Sequence, residues 1–338
     1  MNNTRNVRVD FLRLVGTLLV ILAHVTPPKT INILRSFDVC LLVLLAGFCY
    51  KPINTYGAYC IKRLKRLCVP AWLCATVTFI LCAIVCLVVR HEYVYSLRQI
   101  IETYLFLDGG IGLLWVVRIY MLMALIAPGI AKLNSFITND FVFLSVIVSA
   151  LIFNEVLYKG IYGNNYILDF VLKNYLMSAV AYGCVYGIGM RLKNNKKLAL
   201  QYFIAFLLIF LLYIPYLIFK EGYHSIDFKY PPQSIYIVFG VLMSLACWLA
   251  LCSVKDSSFQ KSQRAVSWLS KNSFDIYLFH AIVIYVLSWG GDILNRFSIY
   301  QAWWFRYLII VFASLTMTFV MDNIKKKCYL KRQYKKQI

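Results

Sequence analysis

Apolar runs of roughly twenty residues recur along the chain from residue 9 to residue 322, and that is the length a helix needs to cross a ~30 Å hydrocarbon layer. Inside such a layer each backbone N–H and C=O must be satisfied within its own segment, which selects helices here. The runs predict ten spans, near 9–27, 37–51, 67–89, 111–131, 141–158, 167–190, 197–219, 233–252, 273–289 and 302–322. The expected fold class is therefore all-α: a polytopic integral membrane protein of about ten transmembrane helices, forming a single domain over residues 1–338. Composition agrees, because 61% hydrophobic against 14% charged residues is more apolar surface than a soluble core of this length can hide.

Charge supplies the orientation. The 35 Lys+Arg and 14 Asp+Glu give a formal charge of +21, and assigning loops alternately to the two sides places 23 cations on one side and 8 on the other. Cationic loops stay in the cytoplasm, so both termini are expected there, in the cell (inner or plasma) membrane. The basic balance thus reports topology and membrane-lipid contact, and nucleic acid is not an expected partner because no basic segment carries a recognisable module. The eleven cysteines include no C-x-x-C pair and read as small buried hydrophobes, so neither metal nor redox chemistry is expected. The N-terminal segment is basic, then apolar, without a small-residue cleavage site, and reads as a retained first span. Loops 90–110, 159–166, 220–232 and 290–301 are rich in Tyr, Asn, Gly and Asp and suit a surface facing sugar. Segment 56–66, YGAYCIKRLKR, reads as a separate interfacial helix with a basic face.

Function must come from the polar residues that lipid should exclude. Arg13 and His24 are eleven steps apart, about three helical turns, which puts them on one face and about 16 Å apart along the axis. Asp10 lies one turn before Arg13. Each charge costs at least ~2.5 kcal/mol in lipid unless sheltered, so this face predicts a polar internal path. His24, towards the outer end, suits a general base, since an imidazole pKa of about 6.5 allows proton removal from a hydroxyl near neutral pH; a packing or capping histidine fits the spacing equally well. Arg63 and Arg66, at i and i+3, present one face that could grip a phosphate, a lipid headgroup or nothing beyond the topology signal. Tyr277 and His280 also share a face and read either as a second polar site on the same cavity or as a packing pair. Arg118 is placed to stack on Trp115 or meet an anion, with Asp38 as its counter-charge if their spans are neighbours. His91, Glu92 and His224 are expected in solvated outer loops, and Pro231-Pro232 stiffens the last of these.

The order Arg13-x10-His24, then FDVCLLVLLAGF at 37–48, then Arg63-x-x-Arg66 resembles the N-terminal signature of the membrane-bound acyltransferase-3 family. LWVVRIYMLMALIAP at 114–128 and NSFDIYLFH at 272–280 resemble two later motifs, and KYPPQSIYIVFG at 229–240 is similar to a Tyr-Pro-Pro loop of some polysaccharide-modifying members. The resemblance implies an O-acyltransferase that takes an acyl group, usually from acetyl-CoA, on the cytoplasmic side and delivers it to a hydroxyl of a glycan or lipid-linked glycan acceptor. It implies His24 as the essential base, Arg13 as its partner, and Arg63 and Arg66 as the groups facing the CoA phosphates. Whether His24 acts on the acceptor hydroxyl directly or first carries the acyl group stays open, as does a homo-oligomeric state. Ala46, Leu44 and Leu45 depart from the Ser and aromatics of many relatives, and no C-terminal hydrolase-like domain is expected in a chain consumed by its spans. A transporter or flippase of a lipid-linked glycan is the rival, since it too needs many spans and buried charges.

Overall fold

The computed structural model describes residues 6–51, 55–89, 92–107, 109–160, 163, 165–193, 195–219, 224–289, 294 and 296–334, so His91 lies outside the described residues. Among those residues the fold is all-α, with no strand. Seven helical segments are long and apolar enough to cross a membrane, and an eighth span results if one bent pair is counted as a unit, which marks a multi-pass membrane protein.

α1 (Val7–Leu22) starts where the Asn6 side chain accepts hydrogen bonds from the N–H groups of Arg8 and Val9, a side-chain cap at the usual position. It ends five residues earlier than the predicted span. Thr26 precedes Pro27, which disfavours a helical conformation there, and Thr26 takes a φ of 50°. His24 consequently sits in the turn beyond the helix, its N–H bonded to the Ile21 carbonyl. The chain returns through short helical segments, Lys29–Leu34 and Arg35–Phe37, into α2 (Asp38–Phe48). α2 is apolar on every side, and a helix of that kind belongs in a core: Val39, Cys40, Leu41, Val43, Leu44 and Leu45 are all buried.

α3 (Tyr56–Val89) corrects one expectation, because the basic segment and the third span form one 34-residue helix. Nothing between Arg66 and the apolar run breaks it. Pro70 lies inside and, lacking an N–H, cannot donate to the Arg66 carbonyl one turn back. α4 (Trp115–Phe136) and α5 (Asp140–Gly160) follow, then a segment from Tyr166 that passes through a π turn at Leu172–Leu176 into α6 (Met177–Leu192). α7 (Lys196–Phe219) and α8 (Ser234–Cys252) pair closely. α9 (Gln263–Lys271) meets α10 (Ser273–Trp289) at a 64° bend, and α11 (Trp303–Tyr334) packs on α10.

α2 is the hub, packed against α1, α6 and α8. Its contact with α6 is backbone on backbone: a Cβ at Gly47 would stand 2.1 Å from the Tyr186 carbonyl oxygen, and one at Gly189 would stand 2.0 Å from that of Leu44. Small residues at such crossings let membrane helices approach closely.

Candidate active site

A cavity of about 450 Å³ opens between α1, α2, α3, α4, α6 and the α9–α10 bend. That volume falls within the ~300–1,000 Å³ typical of ligand pockets. Arg13, Arg63, Arg66 and Lys271 all line it, so four cations from three parts of the fold share one cavity. Arg63 and Arg66 are exposed on α3, and the Arg63 guanidinium lies 5.3 Å from the centre of the Tyr59 ring. Thr17, Tyr120, Phe274 and Tyr277 add a mixed polar and aromatic lining.

Arg13 is held from two sides. Asp10, 2% exposed, lies 3.8 Å from it and accepts hydrogen bonds from Ser270 (2.8 Å) and Ser267 (3.3 Å) of α9. Arg13 itself donates to the Ser270 hydroxyl at 3.2 Å. The carboxylate therefore ties α1 to α9 and orients the guanidinium beside the bend. Ser267 and Ser270 escaped the sequence reading because serines in a polar loop carry no signal, although their i, i+3 spacing is the pattern that lets both face one partner.

His24 does not line this cavity. Tyr277 does, and its ring centre lies 5.1 Å from that of His280, which in turn lies 5.5 Å from that of His24. The structure thus brings Tyr277, His280 and His24 into one aromatic series leading away from the cavity. His280 is fully buried, and its Nδ1 contacts the Tyr277 carbonyl; a carbonyl only accepts, so the proton belongs on Nδ1. Nε2 is left as a buried lone pair with no hydrogen-bond partner among the described residues. The Tyr277 hydroxyl donates to the Leu113 carbonyl. The turn carrying His24 is fixed by α11, where Arg306 donates to the Val25 carbonyl (3.1 Å) and the Thr26 hydroxyl (2.8 Å). A cation at the carboxyl end of α1 also complements the helix dipole.

Two expectations about the outer polar residues need correction. Asp38, 1% exposed, forms ion pairs with Arg35 (2.7 Å) and Lys229 (3.5 Å), whereas Arg118 donates to the Phe106 carbonyl at 2.9 Å. The cation over the Trp115 ring is Lys229, 5.4 Å from its centre. Both differences have one cause. The segment that opens at Ser225–Phe228 packs on α8, and Lys229 after it is buried with its ammonium at Asp38 and over the Trp115 ring. The Arg35–Asp38 pair, at i and i+3, was readable from spacing alone; the burial of Lys229 was not. Glu92 is exposed and His224 half-buried, both away from the cavity lining. Among the described residues no cluster of His, Cys, Asp and Glu could hold a metal ion.

A family model described as an acyltransferase domain matches residues 6–322. No curated protein and no solved structure matches the chain.

Proposed function

The chain belongs to the acyltransferase-3 family, and from that premise we propose that it is a membrane O-acyltransferase moving an acyl group, most simply acetyl, from a cytoplasmic acyl-CoA to a hydroxyl of an exported or envelope glycan. The observation that carries this reading is one cavity that holds the cations Arg63, Arg66, Lys271 and Arg13 together with a neutral aromatic lining, and the order along α9–α10, where Lys271, Phe274 and Tyr277 on the cavity lead to His280 and the His24 ring off it. Acyl-CoA has the matching sequence of groups, with phosphates at one end, a long neutral arm and a thioester at the other.

In this reading Arg63 and Arg66 hold the phosphates, and arginine suits the task because its planar fork can bond two phosphate oxygens at once. The arm runs inwards past Thr17 and Tyr120. At the far end His24 removes the proton of the acceptor hydroxyl as its oxygen attacks the thioester carbonyl. The carbon–sulfur bond breaks, and the thiolate recovers a proton from the imidazolium. An alternative order, with the acyl group resting on His24 first, uses the same residues. The buried Nε2 of His280 is an acceptor without a partner among the described residues, on a ring 5.5 Å from that of His24 centre to centre; an N–H of His24 turned to it would leave the other nitrogen as the base. Arg13 acts from the cavity side, near the arm of the donor. The charge count orients the molecule with this mouth and both termini in the cytoplasm, in the cell (inner or plasma) membrane.

Purified protein in lipid nanodiscs, given radiolabelled acetyl-CoA and an extract of envelope glycan, should transfer label to glycan, and His24→Ala should abolish transfer while leaving thermal unfolding cooperative. Label transfer that survives in folded His24→Ala would overturn the mechanism. Movement of a lipid-linked glycan with no labelled product would indicate a flippase instead.

A further inference from the structure

We propose that Lys229 and Arg35 form a second, outer site that binds an anionic group of the acceptor, a carboxylate or a phosphate; the inference rests on the acyl-transfer reading of His24 for its purpose, and on geometry for its existence. Arg35 and Lys229 are each 6% exposed, and they share a single carboxylate, Asp38. Among the described residues, two buried cations on one anion leave a positive charge uncompensated, a costly arrangement unless something else supplies the missing negative charge. The two cations are not equally satisfied. Arg35 pairs with Asp38 at 2.7 Å and donates to the Asn32 side chain, whereas the Lys229 ammonium stands 3.5 Å from Asp38. Its other neighbours are the faces of Trp115, Tyr230 and Tyr236, with ring centres 5.4, 5.5 and 5.9 Å away. Aromatic faces attract an ammonium but accept none of its hydrogen bonds as an oxygen would.

Lys229 also lines a small second cavity, of about 10 Å³, beside Arg118, Lys173 and Tyr230. That is room for one oxygen atom, and among the described residues the side chains that line it are cationic or neutral. Tyr230, 52% exposed, stands at its edge and packs edge-on against Trp115 with ring centres 5.0 Å apart. An anionic sugar could therefore place one oxygen on Lys229 while its ring lies over exposed tyrosine. The location makes the site useful, because the segment Arg35–Phe37, which carries one of its cations, packs on α1, the helix that ends at the turn carrying His24. A substituent held there fixes which hydroxyl reaches the base.

The test is ligand binding, read as thermal stabilisation of the full-length protein in zwitterionic nanodiscs at constant ionic strength. The probes are methyl glucuronide, glucose 1-phosphate and neutral methyl glucoside, with coenzyme A as the reporter of the donor cavity. Methyl glucuronide or glucose 1-phosphate should raise Tm and methyl glucoside should not; whichever of the two acts identifies the group as carboxylate or phosphate, and action by both assigns recognition to charge. Lys229→Met leaves Arg35 and Asp38 as a neutral pair and should keep the response to coenzyme A, while its apparent Kd for the anionic sugar weakens about tenfold or more, the worth of one charge-assisted hydrogen bond. Arg63→Ala/Arg66→Ala should do the reverse. Should Lys229→Met lose the coenzyme A response through misfolding, Arg35→Met gives the same reading from the other cation. Equal action of the neutral sugar, no stabilisation by either anionic one, or an anionic response unchanged in Lys229→Met overturns the proposal. Loss of the coenzyme A response in wild type would instead count against the donor site.

Discussion

Substituting alanine for Gly189 should be among the most damaging single-methyl changes available in this protein. Its Cβ would lie 2.0 Å from the Leu44 carbonyl oxygen and 3.0 Å from the Phe48 nitrogen. Real Cβ contacts do not fall below 3.0 Å, so α6 must move about 1.0 Å away from α2. The obstacle is backbone, which cannot rotate aside as a side chain can. Overpacking costs about 1–3 kcal/mol where side chains absorb part of the strain, so a helix-on-helix clash belongs at the top of that range. Gly129→Ala on α4 is the control: nothing lies within 4 Å of its Cβ, and removing a helical glycine gains about 0.8–1.0 kcal/mol. Gly189 is helical too and gains the same amount, so the two variants should differ by the clash alone, roughly 3 kcal/mol in thermal or denaturant unfolding in detergent. Gly183→Ala, 3.3 Å from the tip of Ile126, should fall between them. A variant that still folds should also bind donor poorly, because α2 carries Leu42 and Ala46 of the cavity and α6 carries Tyr186. If Gly189→Ala unfolds at the same temperature as Gly129→Ala, the account of α2 and α6 in backbone contact is wrong.

Three further outcomes follow from the site. Arg63→Ala/Arg66→Ala should raise KM for acyl-CoA about tenfold or more with kcat little changed, and should flatten the dependence of KM on salt, as steady-state assays at several ionic strengths would register. Asp10→Asn should lower stability by about 1–3 kcal/mol, because a buried acceptor of two serine hydroxyls loses its charge, and should lower kcat as Arg13 loses its anchor; unfolding and initial rates measure the two effects. Arg306→Met should cost about 1–3 kcal/mol through two lost charge-assisted bonds to the turn after α1, with kcat reduced and donor KM unchanged, which a donor titration separates.

The helices were legible because run length alone dictates them, and each of the ten predicted runs contains one; seven helical segments, or eight with one bent pair, are long and apolar enough to cross a membrane, fewer than the ten spans expected. Their ends were less so. Segment 56–66 read as a separate helix since its charges suggest an interface, yet charge does not stop a helix and no residue there does. Arg13 and Tyr277 were found as polar residues inside spans, and Arg63 and Arg66 as a basic i, i+3 pair before the third span; the four share one cavity. Arg35 and Lys229 were counted as solvated loop charges, because a count along the sequence treats every loop cation alike. Only tertiary folding, which packs the turn before Lys229 on α8 and brings its ammonium to Asp38, distinguishes a buried lysine from an exposed one.

The shape of α1 explains why its two candidate residues sit where they do. Were the helix to continue through residue 27, His24 would be one more side chain on the Arg13 face, with its backbone consumed by helical bonds. Pro27 ends it early instead, and the freed turn is taken over by Arg306 of α11 while the imidazole packs on His280 of α10. Arg13, by contrast, lies within the helix and is set by Asp10 and α9. One helix thus presents its guanidinium from a rigid interior position and its imidazole from a terminus whose angle other helices decide. The two ends of the path can then be tuned separately: substitutions at α9 should alter the donor side, and substitutions at α10 and α11 the side where the proton moves. A rigid continuous helix through both residues would couple them.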